Sequence, residues 1–453
     1  MTSVSNMPPV RVGSAARAPA SPVLWQVPDQ ASSESAEFDV AIVGLGYVGL
    51  PTALAYHNAG SRVLAFDVSD RRIRDIRSNR ADLIASDRAR LRSALVDQGF
   101  TLTSRARDLA RAGAVVVCVP TPVDEHLIPD LSALRRACAT VVERAVPGQL
   151  LILTSTTYVG CTEDLLVTPL RERGLNVGED VFVAFSAERI DPGNQLVAQE
   201  DVPRVVGAST PKCEERAYRL LRRYAQRVHR VGSLGAAEMT KLIENTFRAV
   251  NIALANEFAD ICRVLGIDVT DVIEAASTKP YGFMAFMPGA GVGGHCIPCD
   301  PHYLLWQLRK NRVEAPVIAE AMSQIAARPG RLVERIRQTL SDAGRGLRGA
   351  RVLVIGVSYK PDVSDLRESP ALEIMASLQH AGADVGYADP RVRLLSLADG
   401  TVLESVERPE EFEADVILVH TRHTGTDLSW VSTNQIVIDA TYTSNDVPRR
   451  VLP

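Results

Sequence analysis

The 453-residue sequence predicts an α/β protein of two Rossmann-like doubly wound domains, joined by a central helical region with one long helix. Three observations carry this reading. A strand-like run, a glycine turn and a helix-like stretch follow one another in "FDVAIVGLGYVGLPTALAYHNAGSRVLAFD" (38–67). A second strand–helix–strand alternation opens at "ARVLVIGVSYKPDVSDLRESPALEIMASLQHAGADVGYADP" (350–390). Between them, "GAAEMTKLIENTFRAVNIALANEFADICRVLG" (235–266) repeats apolar residues at helical spacing without a proline. The implied division is a tail over 1–36, a first Rossmann domain over 37–208, a helical region over 209–330 and a second Rossmann-like domain over 331–453.

The tail is rich in Pro, Ala and Ser, has no apolar signal-peptide core and reads as disordered. The net charge of −4 gives no reason to expect nucleic acid or an anionic membrane. Seven unevenly spaced cysteines form no disulfide framework, which points to a reducing compartment. No apolar run approaches the length of a membrane span. The expectation is a cytoplasmic protein.

The first domain opens with a buried-strand run, Phe38 to Val43, then Gly44-x-Gly46-x-x-Gly49 and a helix to about Asn58. A second apolar run, Arg62 to Phe66, ends at Asp67, 18 residues past the third glycine. Strand, glycines, helix and acidic residue together make the dinucleotide fingerprint. Gly44 permits the tight turn, Gly46 the approach of a pyrophosphate, and Gly49 the packing of helix on strand. Asp67 would accept the adenosine ribose hydroxyls, which favours NAD over NADP. Further strand-like runs at 114–119, 150–154 and 181–185 are each followed by small polar or charged residues. Thr121, Thr156 and Glu188 therefore fall along the carboxyl edge of a parallel sheet, where ligands bind.

In the helical stretch, Lys241 and Asn245 lie at i and i+4 and share a face, which Arg248 continues. Helical spacing persists over about 28 residues, roughly 40 Å, which suits a spine between domains or subunits. In the second domain the first strand ends in Gly356-Val-Ser-Tyr-Lys-Pro without the fingerprint. That domain has the shape of a nucleotide half for a different ligand, with Lys360 and Arg367 where cations meet phosphates.

"GAGVGGHCIPCDPHYL" (289–304) admits four readings. His295, Cys296, Cys299 and His302 offer zinc ligands, but four from one short run fit a tetrahedron poorly. Cys296 and Cys299 have redox-dithiol spacing, without the usual setting at a thioredoxin-like helix start. A glycine loop with buried thiols is the structural reading. A catalytic thiol draws support from the dinucleotide site: a cysteine adds to an aldehyde, and oxidation of the adduct gives a thioester. Asp300, four residues on, suits a base or water holder.

The chain from about residue 38 onward resembles the UDP-glucose/GDP-mannose dehydrogenase family of nucleotide-sugar 6-dehydrogenases. The matching segments are "VAIVGLGYVGLP", "VCVPTPV", "TSTTYVGCTE", "AERIDPGN", "KLIENTFRAVNIALANE", "GGHCIPCDPHYL" and "YKPDVSDLRESPA". The resemblance implies an NAD domain, a central dimerising region and a UDP-sugar domain, working as a homodimer or higher oligomer without a metal. It implies oxidation of a sugar C6 alcohol to a carboxylate in two NAD-dependent steps. Cys296 would carry the thiohemiacetal and the thioester. Lys241 and Asn245 would hold the C6 oxygen, Asp300 would position water or relay a proton, and Glu188 and Thr156 would help activate water. Gly44, Gly46, Tyr47, Val48, Gly49, Asp67, Arg72, Thr121, Thr156 and Arg367 would touch NAD. The UDP-sugar would meet Glu188, Arg189, Lys241, Asn245, Arg248, Phe286, Gly293 and Lys360. The stretches "STKPYGFMAFMPGAGVGGHCIP" and "ENTFRAVNIALANE" look most like members acting on UDP-N-acetylglucosamine, with UDP-N-acetylmannosamine and UDP-glucose as alternatives. A non-catalytic nucleotide-sugar binder is the further alternative. Thr154, Val159, Ala187, Pro192 and Cys299 depart from the residues usual in the family.

Overall fold

Short runs of Val, Ile, Leu, Ala and Phe, buried on both faces, build the first sheet. Such continuous apolar strands are what a parallel sheet covered on both sides requires. The computed structural model describes residues 36–453, except 82, 84, 191–197 and 295 and the side chains of Ala85 and Cys296. The expected tail up to residue 35, Pro192 and His295 thus lie outside the described residues.

The strands of this sheet are β1 (Val40–Val43), β2 (Val63–Phe66), β3 (Phe100–Thr103), β4 (Ala114–Val117), β5 (Leu150–Leu153), β6 (Phe182–Phe185), β7 (Arg204–Ala208) and β8 (Val228–Arg230). Their order is β3-β2-β1-β4-β5-β6-β7-β8. It begins with the doubly wound dinucleotide-binding order, whose direction reverses between β1 and β4. Val43 pairs with Phe66 on one side and Val117 on the other. All pairs are parallel except β6 with β7. With the sheet go helices α1 (Gly49–Asn58), α2 (Asp70–Arg77), α3 (Ala85–Ala94), α4 (Ser132–Arg144), α5 (Thr168–Glu172) and α6 (Pro211–Leu221).

Sequence reading found five of these eight strands. β3 and β8 carry too few apolar residues to signal themselves, and β7 is broken by Gly207. The structure also departs from two expected boundaries. α6 and β8 follow residue 208, yet β8 pairs with β7 and belongs to the first sheet. The division at 330/331 falls inside a continuous helix, α10 below, despite Pro329 and Gly330.

The expected long helix is α7 (Leu234–Leu265), 32 residues. It spans about 48 Å at 1.5 Å per residue. Ser233 caps its start, accepting the Ala236 N–H at 3.1 Å, and Gly266 ends it with a φ of 70°. Gly207 of β7 lies against the Ser233 carbonyl, where a Cβ would overlap backbone. The helix is thus seated on the first sheet. After it come α8 (Val269–Ser277), α9 (Cys296–Lys310) and α10 (Pro316–Asp342), and both α9 and α10 pack on α7.

The second sheet is wholly parallel, in the order β10 (Asp384–Ala388), β9 (Arg351–Ile355), β13 (Val416–Val419), β14 (Ile436–Asp439) and β15 (Arg450–Val451). A hairpin of β11 (Leu394–Ser396) and β12 (Val402–Glu404) lies outside it. Alternate residues of β9 enter different cores. Val352 and Val354 pack with Ile374 and Leu378 of α11 (Pro370–His380) and with Ile336 and Leu340 of α10. Leu353 and Ile355 pack with Leu428 and Val431.

One buried cation ties three pieces together. Arg328 of α10 donates to the Gly289 carbonyl at 3.1 Å, Asp260 of α7 at 2.8 Å and the Tyr442 hydroxyl at 2.9 Å. Its replacement leaves three acceptors short of a donor. Arg328→Met is expected to lower stability by about 2–4 kcal/mol in urea unfolding followed by circular dichroism. Arg328→Lys, with one ammonium for three acceptors, should recover only part of that loss.

Candidate active site

The glycine turn after β1 has the shape of a phosphate cradle. Gly44 has a φ of 89°, and a Cβ there would sit 2.6 Å from the Cys118 carbonyl oxygen. A Cβ on Gly49 would overlap the Gly44 carbonyl, whereas one on Gly46 would meet nothing within 4 Å. The backbone at Gly46 therefore borders open space beside the start of α1. No side chain caps that helix at Val48, so its first N–H groups suit an anion. Asp67 follows β2, accepting the Leu45 N–H at 2.8 Å and the Ser69 N–H at 2.9 Å. Arg72 Nε closes the same turn on the Leu45 carbonyl at 2.8 Å. Asp67 remains partly exposed, as a residue offered to a ribose must. These residues fit NAD, which supplies a hydride acceptor when bound.

Thr121 and Thr156 follow β4 and β5. Thr121 is buried, and its carbonyl accepts the Tyr303 hydroxyl of α9 at 3.1 Å; Thr156 is partly buried. Gln307, one turn further along α9, brackets Val159: it accepts the Val159 N–H at 3.1 Å and donates to its carbonyl at 2.7 Å. Proline at 159 could not make the first bond, so the departure at that position has a structural use.

The residues expected to react lie where α9 packs on α7. Lys241, Asn245 and Asp300 are all buried. Asn245 donates its side-chain amide to Asp300. Burial raises the Asp300 carboxyl to about 6, against the opposing pull of Lys241 and the Asn245 hydrogen bond. Cys296 opens α9 one turn before Asp300; its side chain lies outside the described residues.

Other expected site residues have different surroundings. Glu188 is buried with Arg204 Nη1 at 2.5 Å. Its oxygens also accept the Arg189 and Ile190 N–H groups at 2.8 and 3.1 Å and Gln199 at 3.3 Å; the Thr52 hydroxyl lies 3.4 Å away and donates to the Val48 carbonyl at 2.8 Å. Two backbone N–H groups, the Gln199 amide and the Arg204 cation thus surround one carboxylate. Arg189 pairs with Glu244 of α7 at 2.5 Å. Arg248 is exposed, and Phe286 stacks edge-on against Phe247 with ring centroids 5.9 Å apart.

The glycine loop before Cys296 docks on the segment after β9. A Cβ on Gly293 would lie 2.5 Å from Tyr359 Cβ and 2.6 Å from the Glu368 carbonyl oxygen. The Gly294 N–H donates to the Arg367 carbonyl at 2.9 Å. Arg367 in turn lies over the Tyr47 ring, 4.3 Å from its centroid, and pairs with Asp365 at 2.6 Å. Lys360 lies on the same segment, 5.8 Å from the Tyr359 ring centroid. Among the described residues, no cluster of three His, Cys, Asp or Glu could hold a metal.

Sequence reading missed Glu238, Arg204 and Tyr303. Glu238 is buried on α7 and accepts the Gly160 N–H at 2.6 Å and the Thr162 N–H at 2.9 Å, anchoring the turn after β5. A signal existed: Glu238, Lys241 and Asn245 recur at i, i+3 and i+7 on one face.

A dinucleotide cradle together with a buried Lys, Asn and Asp at a helix crossing points to an NAD-dependent oxidoreductase. Comparison with known proteins narrows it. Models of the UDP-glucose/GDP-mannose dehydrogenase family match over 38–225 (NAD binding domain), 235–325 (central domain) and 353–444 (UDP binding domain). UDP-N-acetyl-D-glucosamine 6-dehydrogenase of Pseudomonas aeruginosa is 33% identical over 85% of this chain and 91% of its own. UDP-N-acetyl-D-mannosamine dehydrogenase of Pyrococcus horikoshii is 36% identical over 85% and 89%. A solved structure of the UDP-D-ManNAc dehydrogenase from Pyrococcus horikoshii superposes with a TM-score of 0.83 at 31% identity, covering 91% of this chain and 98% of its own. The chain belongs to the UDP-glucose/GDP-mannose dehydrogenase family. It is an oxidoreductase, an NAD-dependent UDP-sugar dehydrogenase.

The tight Gly293 contact has a direct consequence. Gly293→Ala is expected to cost about 1–3 kcal/mol by overpacking and to lower kcat/KM for the UDP-sugar. Gly289→Ala is the control, since its Cβ would meet only the Ala440 carbonyl oxygen, at 4.0 Å. Thermal melts and initial rates on both variants check this.

Proposed function

We propose that the protein oxidises the C6 alcohol of UDP-N-acetylglucosamine to the uronic acid in a four-electron reaction. The observation that carries the reading is the buried group of Lys241, Asn245 and Asp300, with Cys296 one turn ahead on α9. Lys241 and Asn245 donate to the C6 oxygen and stabilise its charge. Asp300 accepts the proton. The first oxidation yields an aldehyde, to which the Cys296 thiolate adds as a thiohemiacetal. Loss of a second hydride leaves a thioester, and water cleaves it to carboxylate and thiol. A helix N-terminus favours a thiolate, and Cys296 is the first residue of α9.

Asp300 is the carboxylate we assign to the attacking water. Glu188 keeps a positioning role, because the Arg204 cation, two backbone N–H groups and the Gln199 amide already engage its oxygens. Thr121, Thr156, Tyr47, Asp67, Arg72 and Arg367 serve NAD. Lys360, Gly293, Arg189, Arg248 and Phe286 serve the UDP-sugar. A second sugar, UDP-N-acetylmannosamine, is favoured by the Pyrococcus likeness in sequence and structure.

We also propose a homodimer. Ile243, Phe247, Leu254, Phe258, Ile261 and Leu265 form an apolar stripe along α7, each between 44% and 65% exposed in the protomer. Such a stripe on a long helix suits a second copy. No described helix is long and apolar enough to cross a membrane.

NADH formed per sugar tests the reaction. Two NADH per UDP-sugar are expected on one substrate among UDP-N-acetylglucosamine, UDP-N-acetylmannosamine and UDP-glucose. Cys296→Ser should stall before completing the second oxidation, and one NADH from the parent would end the thioester reading. Asn245→Ala should lower kcat about 10²–10³-fold, as loss of an oxyanion donor does. Asp300 must be ionised to accept a proton, and its carboxyl lies at about 6. Turnover should therefore fall as pH drops through about 6, and the pH–rate profile of Asp300→Asn should lose that limb.

A further inference from the structure

The two halves of the chain repeat one turn. In the first, the Gly44 N–H donates to the Phe66 carbonyl at 2.9 Å and the Leu45 N–H to Asp67 Oδ2 at 2.8 Å. In the second, the Gly356 N–H donates to the Ala388 carbonyl at 2.9 Å and the Val357 N–H to Asp389 Oδ2 at 2.8 Å. The repeat stops at the carboxylate. Asp67 stays partly exposed, whereas Asp389 is buried and its Oδ2 lies 3.1 Å from His423 Nε2.

His423 is itself buried, and its Nδ1 accepts the Asp362 N–H at 2.9 Å. That acceptor role leaves the ring proton on Nε2, towards Asp389 and the Ser358 hydroxyl at 3.3 Å. Ser358 and Asp389 approach the same ring nitrogen, so the three do not form a hydrolytic triad, which needs one on each side of the ring. They form a clamp instead. Thr421 Oγ1 donates to the Ser358 carbonyl at 2.6 Å, Thr424 Oγ1 to Asp362 Oδ2 at 2.6 Å and Ser369 Oγ to the Val357 carbonyl at 2.6 Å. The clamped segment, 357–369, carries Tyr359, against which Gly293 and Gly294 lie, together with Lys360 and Arg367.

We propose that His423 and Asp389 are positioning residues for UDP-sugar binding. The carboxylate that a nucleotide half offers to a ribose holds the substrate-binding segment here. The proposal rests on the reading that Lys360 binds the UDP-sugar, so Lys360→Ala is measured alongside.

The test is steady-state kinetics on the full chain, with UDP-sugar and NAD varied separately. His423→Ala is expected to raise KM for the UDP-sugar about tenfold or more, while kcat at saturating sugar and KM for NAD stay within about threefold. His423→Asn keeps an acceptor for the Asp362 N–H and should recover part of the loss. Asp389→Asn serves if His423→Ala does not fold. Unchanged sugar KM in the histidine variants, with a raised KM in Lys360→Ala, overturns the clamp alone. Unchanged sugar KM in Lys360→Ala overturns the underlying site reading. Parallel loss of kcat and both KM values would mean a purely structural role and also overturns the clamp.

Discussion

The Asp300 carboxylate has almost no contact with water, and the burial of that charge organises the centre of the molecule. A buried carboxylate needs donors and a compensating cation. Asn245 and Lys241 provide them from a single helix, α7, which fixes how α9 lies across it. The same helix repeats the device along its length. Glu238 holds the turn after β5, Asn256 accepts the Gly289 N–H at 2.9 Å, and Asp260 meets Arg328. From Glu238 to Asp260 is roughly 33 Å at 1.5 Å per residue. One helix holds the two sheets and the buried Lys241–Asn245–Asp300 group together because its polar residues each fasten a different piece.

The loop that precedes Cys296 owes its glycines to contact. Gly293 and Gly294 lie against Tyr359 and the Glu368 carbonyl, and Gly291 lies against Pro370 with a φ of 145°. Side chains at these positions would push the second sheet's binding segment away from α9. The loop therefore joins the nucleotide-sugar side of the molecule to the residue that bears the thiol. Arg367 carries the connection on to Tyr47 in the cofactor turn. The cofactor turn, the segment after β9 and the glycine loop thus meet along one short path.

The doubled Rossmann-like turn illustrates one fold put to two uses. Identical backbone bonds form at Gly44 and at Gly356, yet only the first half keeps an accessible acid. In the second half the carboxylate is internal, engaged by His423 and by the Arg391 and Val392 N–H groups. Fold alone therefore does not reveal which half takes NAD; the open space beside Gly46 and the exposure of Asp67 do.

Much was determined by the sequence itself. The glycine spacing at 44–49 with Asp67, the apolar runs of β1, β2, β4, β5 and β6, and the proline-free stretch of α7 are local patterns, set by steric and hydrophobic periodicity. The lining-up of Lys241 with Asn245 is equally local, since both sit on one face of one helix. What only the tertiary structure decided depends on residues far apart in the chain. β8 joins the first sheet through pairing with β7, not through apolar content. Residue 330 lies within a helix because α10 packs against α7 and the second sheet. Asp300 meets Asn245 across 55 positions, Glu188 is occupied by Arg204, and His423 finds Asp389. Such partners are selected by burial, where an unpaired charge is costly, and no spacing rule along the chain encodes them.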